Sequence, residues 1–326
     1  AAPLRRSKRP SLQPATLIYN PVAGRNPARR ERQIREVAAV LKQSGIPVTL
    51  ARTTAPGCAT ELARAAASAG AGLVLACGGD GTIHEVINGL CPGSIPLGIL
   101  PGGTANIVAN ELGLPHGPVR AARELMNWRP RRIALGLATG WPTSPSQAAK
   151  TFQRYFLSVA GVGFDAYVIH RLGFKFKMSL GVMAYLLEGL RQVMRYPFPP
   201  MVCEVDGQRF EATFALVQRT SLYAGWFRTA PNQSIANPRF GLSLFRSSRR
   251  LRYLAYGAAV LTQRQLRDVD RLETSKVTFA PAHPGTKIFF ELDGELVGIL
   301  PATFEVAPEA LTLLMPSTPG RPQFPS

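Results

Sequence analysis

The feature that most restricts this chain is a change of texture across residues 71–90. "AGLVLAC" is apolar without interruption, the mark of a strand buried on both faces of a parallel sheet. It runs into "GGDGTIHEVINGL", where Gly78, Gly79 and Gly81 surround Asp80, and Ile83, Val86, Ile87 and Leu90 then recur at helical spacing. A buried strand turning into a helix through three glycines points to an α/β unit. Neighbouring segments repeat the pattern. "TLIYN" (16–20) precedes a helical segment over 28–45 with Ile34, Val37, Ala38 and Leu41 on one face, closed by Gly45. "IPVTLARTT" (46–54) reads as a second strand, 59–69 as an alanine-rich helix and "SIPLGIL" (94–100) as a further strand. Ala105, Val108, Ala109 and Leu112 mark one more helical face. This alternation predicts a doubly wound α/β nucleotide-binding domain over 15–128, its ligand at the carboxyl ends of the strands where the glycine turns fall.

After "NWRPRR" (127–132) the pattern changes. Short β-like runs at 131–138, 155–162, 201–206, 210–218, 240–246, 276–280 and 286–292 are separated by Gly, Pro, Asn and Asp turns. "TGWPTSPSQ" (139–147) reads as a loop or hairpin tip. Met178, Val182, Tyr185, Leu186 and Leu190 predict a helix over roughly 175–195, with Lys175, Lys177, Arg191 and Arg195 at its ends. The expected second domain, 129–300, is therefore mainly β with one prominent helix, and 301–315 returns to the first domain. Residues 1–14 read as a disordered basic arm and 316–326 as a disordered, proline-rich tail.

Charge narrows the partners. Lys plus Arg is 38 against 20 Asp plus Glu, a net charge of +18 that draws anions: nucleotides, nucleic acid or an acidic lipid surface. No apolar run approaches the roughly 18 residues a membrane helix needs. "ATLIY" is too short for a signal-peptide core, so a cytoplasmic protein is expected. The four cysteines, Cys58, Cys77, Cys91 and Cys203, lack paired spacing and read as reduced thiols, and the four histidines show no ligand spacing.

The glycine turns carry the chemistry. Without Cβ atoms, a turn can bring backbone N–H groups close to phosphate oxygens, and the helix that follows points its positive end at the same place. Gly102-Gly103-Thr104 repeats the device one βα unit later. Neither a P-loop nor a dinucleotide fingerprint is present, since no Gly-Lys-Ser/Thr follows and Gly70 and Gly72 lack a third glycine. Far along the chain, "ELDGELVG" places Asp293 and Glu295 on either side of Gly294. Such a turn could aim both acids into one site, or could be a plain hairpin with solvated acids. Asp206-Gly207 has the same local look with no motif around it and reads as a plain hairpin.

"GGDGTIHEVINGL" and "PGGTANIVANELGLP" resemble the diacylglycerol kinase catalytic domain family, which includes bacterial lipid kinases and sphingosine kinases. The resemblance extends to "YNPVAGR" (19–25), "FLSVAGVGFDA" (156–166) and "FFELDGELVG" (289–298). It implies ATP- and Mg2+-dependent transfer of phosphate to a lipid hydroxyl in a cleft between two domains. It places Asn20, Gly24 and Arg25 near the nucleotide phosphates and Gly78, Gly79, Asp80, Gly81 and Thr82 in the nucleotide loop. Gly103 and Thr104 would close the pocket, Asp293 would take the hydroxyl proton, and Glu295, with Asp80, would serve magnesium. Asp165 of "GVGFDA" is either near the domain junction or a helix cap. The partners expected are a lipid substrate and, peripherally, the anionic inner face of the membrane, with no nucleic acid.

Two departures stand out. Many relatives carry an acidic pair in the segment matching 230–245, associated with a structural magnesium; here Pro238 and Arg239 occupy it, so no second metal is expected. Ile107, rather than an aspartate, follows Asn106. The rival readings are a soluble-substrate kinase of the NAD kinase type and a noncatalytic binder of nucleic acid or membrane.

Overall fold

The computed structural model describes residues 12–24, 27–143, 150–171, 187–223, 227–230, 232–262 and 268–317. The basic arm (but for residues 12–14), most of the proline-rich tail, Arg25 and the first part of the expected 175–195 helix lie outside them.

The first half alternates β1 (Ala15–Tyr19), α1 (Pro27–Gln43), β2 (Val48–Arg52), α2 (Cys58–Ser68), β3 (Leu73–Gly78), α3 (Asp80–Leu90), β4 (Pro96–Pro101), α4 (Ile107–Glu111) and α5 (Pro118–Glu124). β1 pairs in parallel with β2 and with β3, and β3 with β4. Residues 73–78 are buried along the whole of β3, as an uninterrupted apolar run between two neighbours requires. α1 packs with α5, and α2 with α3 so closely that a Cβ on Gly89 would lie 2.4 Å from the Thr60 carbonyl oxygen.

The second half holds β5 (Trp128–Pro142), β6 (Phe152–Phe156), β7 (Val159–Gly163), α6 (Phe164–Arg171) and a helical run over 187–193. β8 (Met201–Val205), β9 (Gln208–Ala212), β10 (Phe214–Gln218), the short pair β11 (Leu222–Tyr223) and β12 (Phe227–Arg228) and β13 (Phe240–Phe245) follow. Then come α7 (Arg250–Leu261), β14 (Val269–Thr274), β15 (Lys276–Pro281), β16 (Phe289–Leu292) and β17 (Glu295–Pro316). β17 links everything. It pairs antiparallel with β16, β15 and nearly all of β5, and its far end runs parallel to β4 at Thr312 and Leu313. The core of this half holds Phe156, Phe240, Phe279, Phe290 and Phe304, all fully buried.

Three sequence expectations change. The run 155–162 is two strands, because the amides of Leu157 and Ser158 leave the ladder for the Asp293 carboxylate. The run 210–218 breaks at Thr213, whose hydroxyl reaches the carbonyls of Phe245 and Ser247 and the Tyr253 hydroxyl. Besides the 187–193 run, α6 and α7 are also helical; α7 is pinned by Tyr253 and Tyr256 in an aromatic cluster with Phe214 and Phe245.

Two glycines test this packing. A Cβ on Gly136 would lie 2.2 Å from the Phe156 ring, whereas one on Gly257, in α7, meets nothing within 4 Å. Gly136→Ala should lower stability by about 1–3 kcal/mol through overpacking, and Gly257→Ala should raise it by about 0.5–1 kcal/mol. Urea midpoints at constant m-value check both.

Candidate active site

Three turns meet at the carboxyl ends of β1, β3 and β4. Asn20 N–H donates to Cys77 O at 3.1 Å, and Gly102 N–H to Gly78 O at 2.9 Å. A Cβ on Gly103 would lie 2.4 Å from Gly79 Cα, and Gly79 itself has an ordinary φ of −88°. These glycines therefore allow backbone to touch backbone rather than an unusual dihedral. Gly24, at φ +86°, faces Gly102 O, and Asn20 Oδ1 accepts from Val22 N–H to shape the same turn. Asn106, left-handed at φ 47°, braces Gly103 through two hydrogen bonds of 2.8 and 2.9 Å, leaving Thr104 exposed at the rim. Thr82 is buried, its side chain folded against Gly78.

Asp293 and Gly294 form the two-residue turn between β16 and β17, with φ of 49° and 85°. Asp206 and Gly207, at 48° and 79°, form the same turn between β8 and β9. Their carboxylates differ. That of Asp206 is 59% exposed and 3.8 Å from Arg239. That of Asp293 is 7% exposed: Oδ1 accepts from Ser158 and Val159 N–H, and Oδ2 from Leu157 N–H, at 2.8–3.0 Å. His84 Nδ1, on α3, stands 3.4 Å from the same Oδ2, its side chain 2% exposed. Burial raises the Asp293 pKa, but His84 and the amides of Leu157 and Val159 outweigh it, so the carboxyl sits below its ordinary value.

Asp80 is tuned the opposite way. It opens α3, and its Oδ1 is enclosed without a hydrogen-bond partner. Burial raises its pKa to about 6, Asp293 adds to the rise, and the backbone N–H groups of Val108 and Ile107 hold it down in part. Glu295 closes the group, since its Oε1 would lie 2.8 Å from a Cβ on Gly81. The structure thus brings Asp80, Gly81, Asp293 and Glu295 to one place, beside Asn20, Gly24, Gly79 and Gly103.

Beneath the turn, Gly161 sits where a Cβ would lie 2.4 Å from Asp165 Oδ2 and 2.8 Å from Glu291 Oε1, and Glu291 Oε2 accepts from Gly294 N–H at 2.6 Å. Asp165 is thus buried behind the Asp293 tip. Sequence reasoning missed His84 and Glu291. Spacing was the one local signal: His84 follows Asp80 by one helical turn, and Glu291, on β16, lies two residues before the turn residue Asp293. The segment matching the relatives' acidic pair is held by guanidinium groups, with Arg239 on Glu273 O at 2.7 Å and Arg219 on the carbonyls of Ile235 and Asn237. All four cysteines are free, and burial pushes the Cys77 thiol up to about 11.

Among the described residues no group of three or more His, Cys, Asp or Glu could hold a metal ion, and no helix is long and apolar enough to cross a membrane. The enclosed, unpartnered Oδ1 of Asp80 with Glu295 across Gly81 suits an octahedral cation that arrives mostly coordinated by phosphate and water.

Residues 14–138 match the diacylglycerol kinase catalytic domain, and residues 158–315 match the YegS C-terminal NAD kinase beta sandwich-like domain. A diacylglycerol kinase of Bacillus subtilis (strain 168) is 29% identical over 94% of this chain and 97% of its own length. One from Staphylococcus aureus (strain MRSA252) is 26% identical over 89% and 88%. A crystal structure of a diacylglycerol kinase from Bacillus anthracis str. Sterne shares the fold, with TM-score 0.73 at 22% identity over 92% of this chain and 96% of that one. Residues 14–138 thus belong to the diacylglycerol kinase catalytic domain family. The chain is a kinase, which sets aside the noncatalytic reading.

The raised Asp80 pKa yields a stability test. A carboxyl that titrates higher in the folded state penalises folding while it is ionised, above about pH 6, and the penalty vanishes below its unfolded value near 4. In the ligand-free protein, Asp80→Asn should stabilise by roughly 1–3 kcal/mol at pH 7.5. The gain should shrink as pH falls from 6 to 4, followed by urea titration at each pH.

Proposed function

We propose that this kinase transfers the γ-phosphate of ATP to the hydroxyl of a diacylglycerol-like lipid. The observation that carries the reading is the convergence of the Asp293–Glu295 turn on the glycine turns through His84 and Gly81. The phosphates would lie along the backbone of 78–82 and 102–104, with Asn20 and Gly24 at the near end. Asp80 and Glu295 would hold Mg2+, which supplies charge neutralisation on the phosphates when bound.

Asp293 would receive the hydroxyl proton. Its acceptor directions are engaged by three amides and faced by His84, which makes it a weak base held in a fixed place. Phosphoryl transfer tolerates this, because the loose transition state asks mainly for alignment and the proton moves late, from an oxygen already bonding to phosphorus. The NAD kinase alternative is less well supported, since the family match of the first half is to diacylglycerol kinases.

Membrane access has its own support. Leu187, Leu190 and Met194 are 56–58% exposed at three- and four-residue spacing, beside Arg191 and Arg195, while Val193 and Tyr196 are buried behind them. On α7, Leu251 is a further exposed apolar residue, 81% exposed between Arg250 and Arg252. Such a surface suits the headgroup region of an anionic bilayer.

Asp293→Asn should lower turnover by about 10²–10⁴-fold while leaving ATP affinity nearly unchanged, and near-normal turnover would remove Asp293 from its role. Incubation with labelled ATP and a total lipid extract should give one labelled phospholipid or lysophospholipid. In a parallel incubation with NAD in place of lipid, label in NADP would favour the rival. In vesicle sedimentation, Leu190→Glu with Met194→Glu should reduce salt-sensitive binding to anionic vesicles; binding equal to wild type discards that surface.

A further inference from the structure

Arg30 lies on α1 four residues before Ile34, so it extends the buried stripe of Ile34, Val37 and Leu41. A guanidinium on that stripe demands a reason, and the side chain is only 2% exposed. Nη2 donates to Gly102 O, Nη1 reaches Cys77 Sγ at 3.9 Å, and Nε is enclosed without an acceptor. A Cβ on Gly102 would lie 2.1 Å from Nη2, so the cation is pressed against the turn and a side chain there would have to displace it.

Arg219 shows how this chain houses a buried guanidinium as a structural post. It is fully buried and its Nε likewise lacks an acceptor, yet its terminal nitrogens donate to three carbonyls, those of Ala134, Ile235 and Asn237. Arg30 has one carbonyl and a neutral thiol, and among the described residues no carboxylate is paired with it. An enclosed charge so poorly matched is costly unless a counter-charge arrives. The place where it is pressed is the meeting point of the Gly24, Gly79 and Gly103 turns.

We propose that Arg30 is a fixed counter-charge for a polyphosphate bound on the glycine turns, set beneath Gly102 and Cys77, whose anionic partner is supplied by the ligand. This rests on the nucleotide reading above. In a low-dielectric setting, one charge behind the backbone adds to the field of the N–H groups without moving during the reaction. Arg30 itself lies outside all the glycine motifs.

The test compares wild type, Arg30→Met and Arg30→Lys as full chains, with folding checked by thermal melts. Calorimetry measures ATP and inorganic triphosphate, and displacement measures adenosine. Arg30→Met should weaken ATP and triphosphate at least tenfold and adenosine less than twofold, with Arg30→Lys recovering most of the loss. Equal losses for ATP and adenosine, or none, would show that Arg30 only supports the fold and overturn the proposal. If Arg30→Met does not fold, Arg30→Gln, which keeps a donor and removes the charge, decides: a threefold or larger fall in the ATP-to-adenosine affinity ratio supports it, and an unchanged ratio overturns it. Wild-type protein that binds neither ATP nor triphosphate overturns the nucleotide reading itself, and this inference with it.

Discussion

One pair of strands makes the rest of the structure possible. β5 and β17 run antiparallel from Pro142 opposite Gly298 to Trp128 opposite Pro316, passing through both halves. At one end β17 begins in the Asp293-Gly294 turn, and near the other it joins β4, whose own carboxyl end carries the Gly102 turn. The acidic turn and the glycine turns are therefore tied to one continuous sheet. Loops on separate bodies would need to find each other; here the hydrogen-bond register places them.

What distinguishes a functional turn from an ordinary one is then a matter of surroundings. Asp206-Gly207 and Asp293-Gly294 share dihedral signs and loop length. The first hangs at a hairpin tip in water. The second enters the gap opened between β6 and β7, where three consecutive amides, freed from the ladder, converge on it. That arrangement lowers the Asp293 pKa while burial raises that of Asp80 nearby. Two neighbouring carboxyl groups are thus given different acidities by their surroundings alone.

Much of this was legible in the residues. The apolar run of β3 and the glycines after it announced the parallel sheet and the site at its end, because burial on both faces and backbone contact each leave a local signature. The breaks at Leu157-Ser158 and Thr213 did not show, since what breaks those strands is a partner far along the chain: Asp293 in one case, Phe245 and Tyr253 in the other. His84 was hidden for a related reason. One histidine on an apolar helix face looks like a core residue until the carboxylate opposite it is known. The α7 helix is held chiefly by Tyr253 and Tyr256 in an aromatic cluster assembled from four distant segments, so its twelve residues carry little periodic signal of their own.

The glycines themselves deserve a different reading from the usual one. At Gly79 and Gly103 the need is for distance: Cα meets backbone across two turns, and any Cβ would push the turns apart. Gly81 leaves room for the Glu295 carboxylate and Gly102 for the Arg30 guanidinium. The absence of side chains thus brings together, in one small volume, an acid from the far end of the chain and a cation from the first helix. Glycine backbone with a positive charge behind it and carboxylates at its edge suits the metal-bound polyphosphate proposed above. That layout follows from the packing of the turns, before any ligand is present.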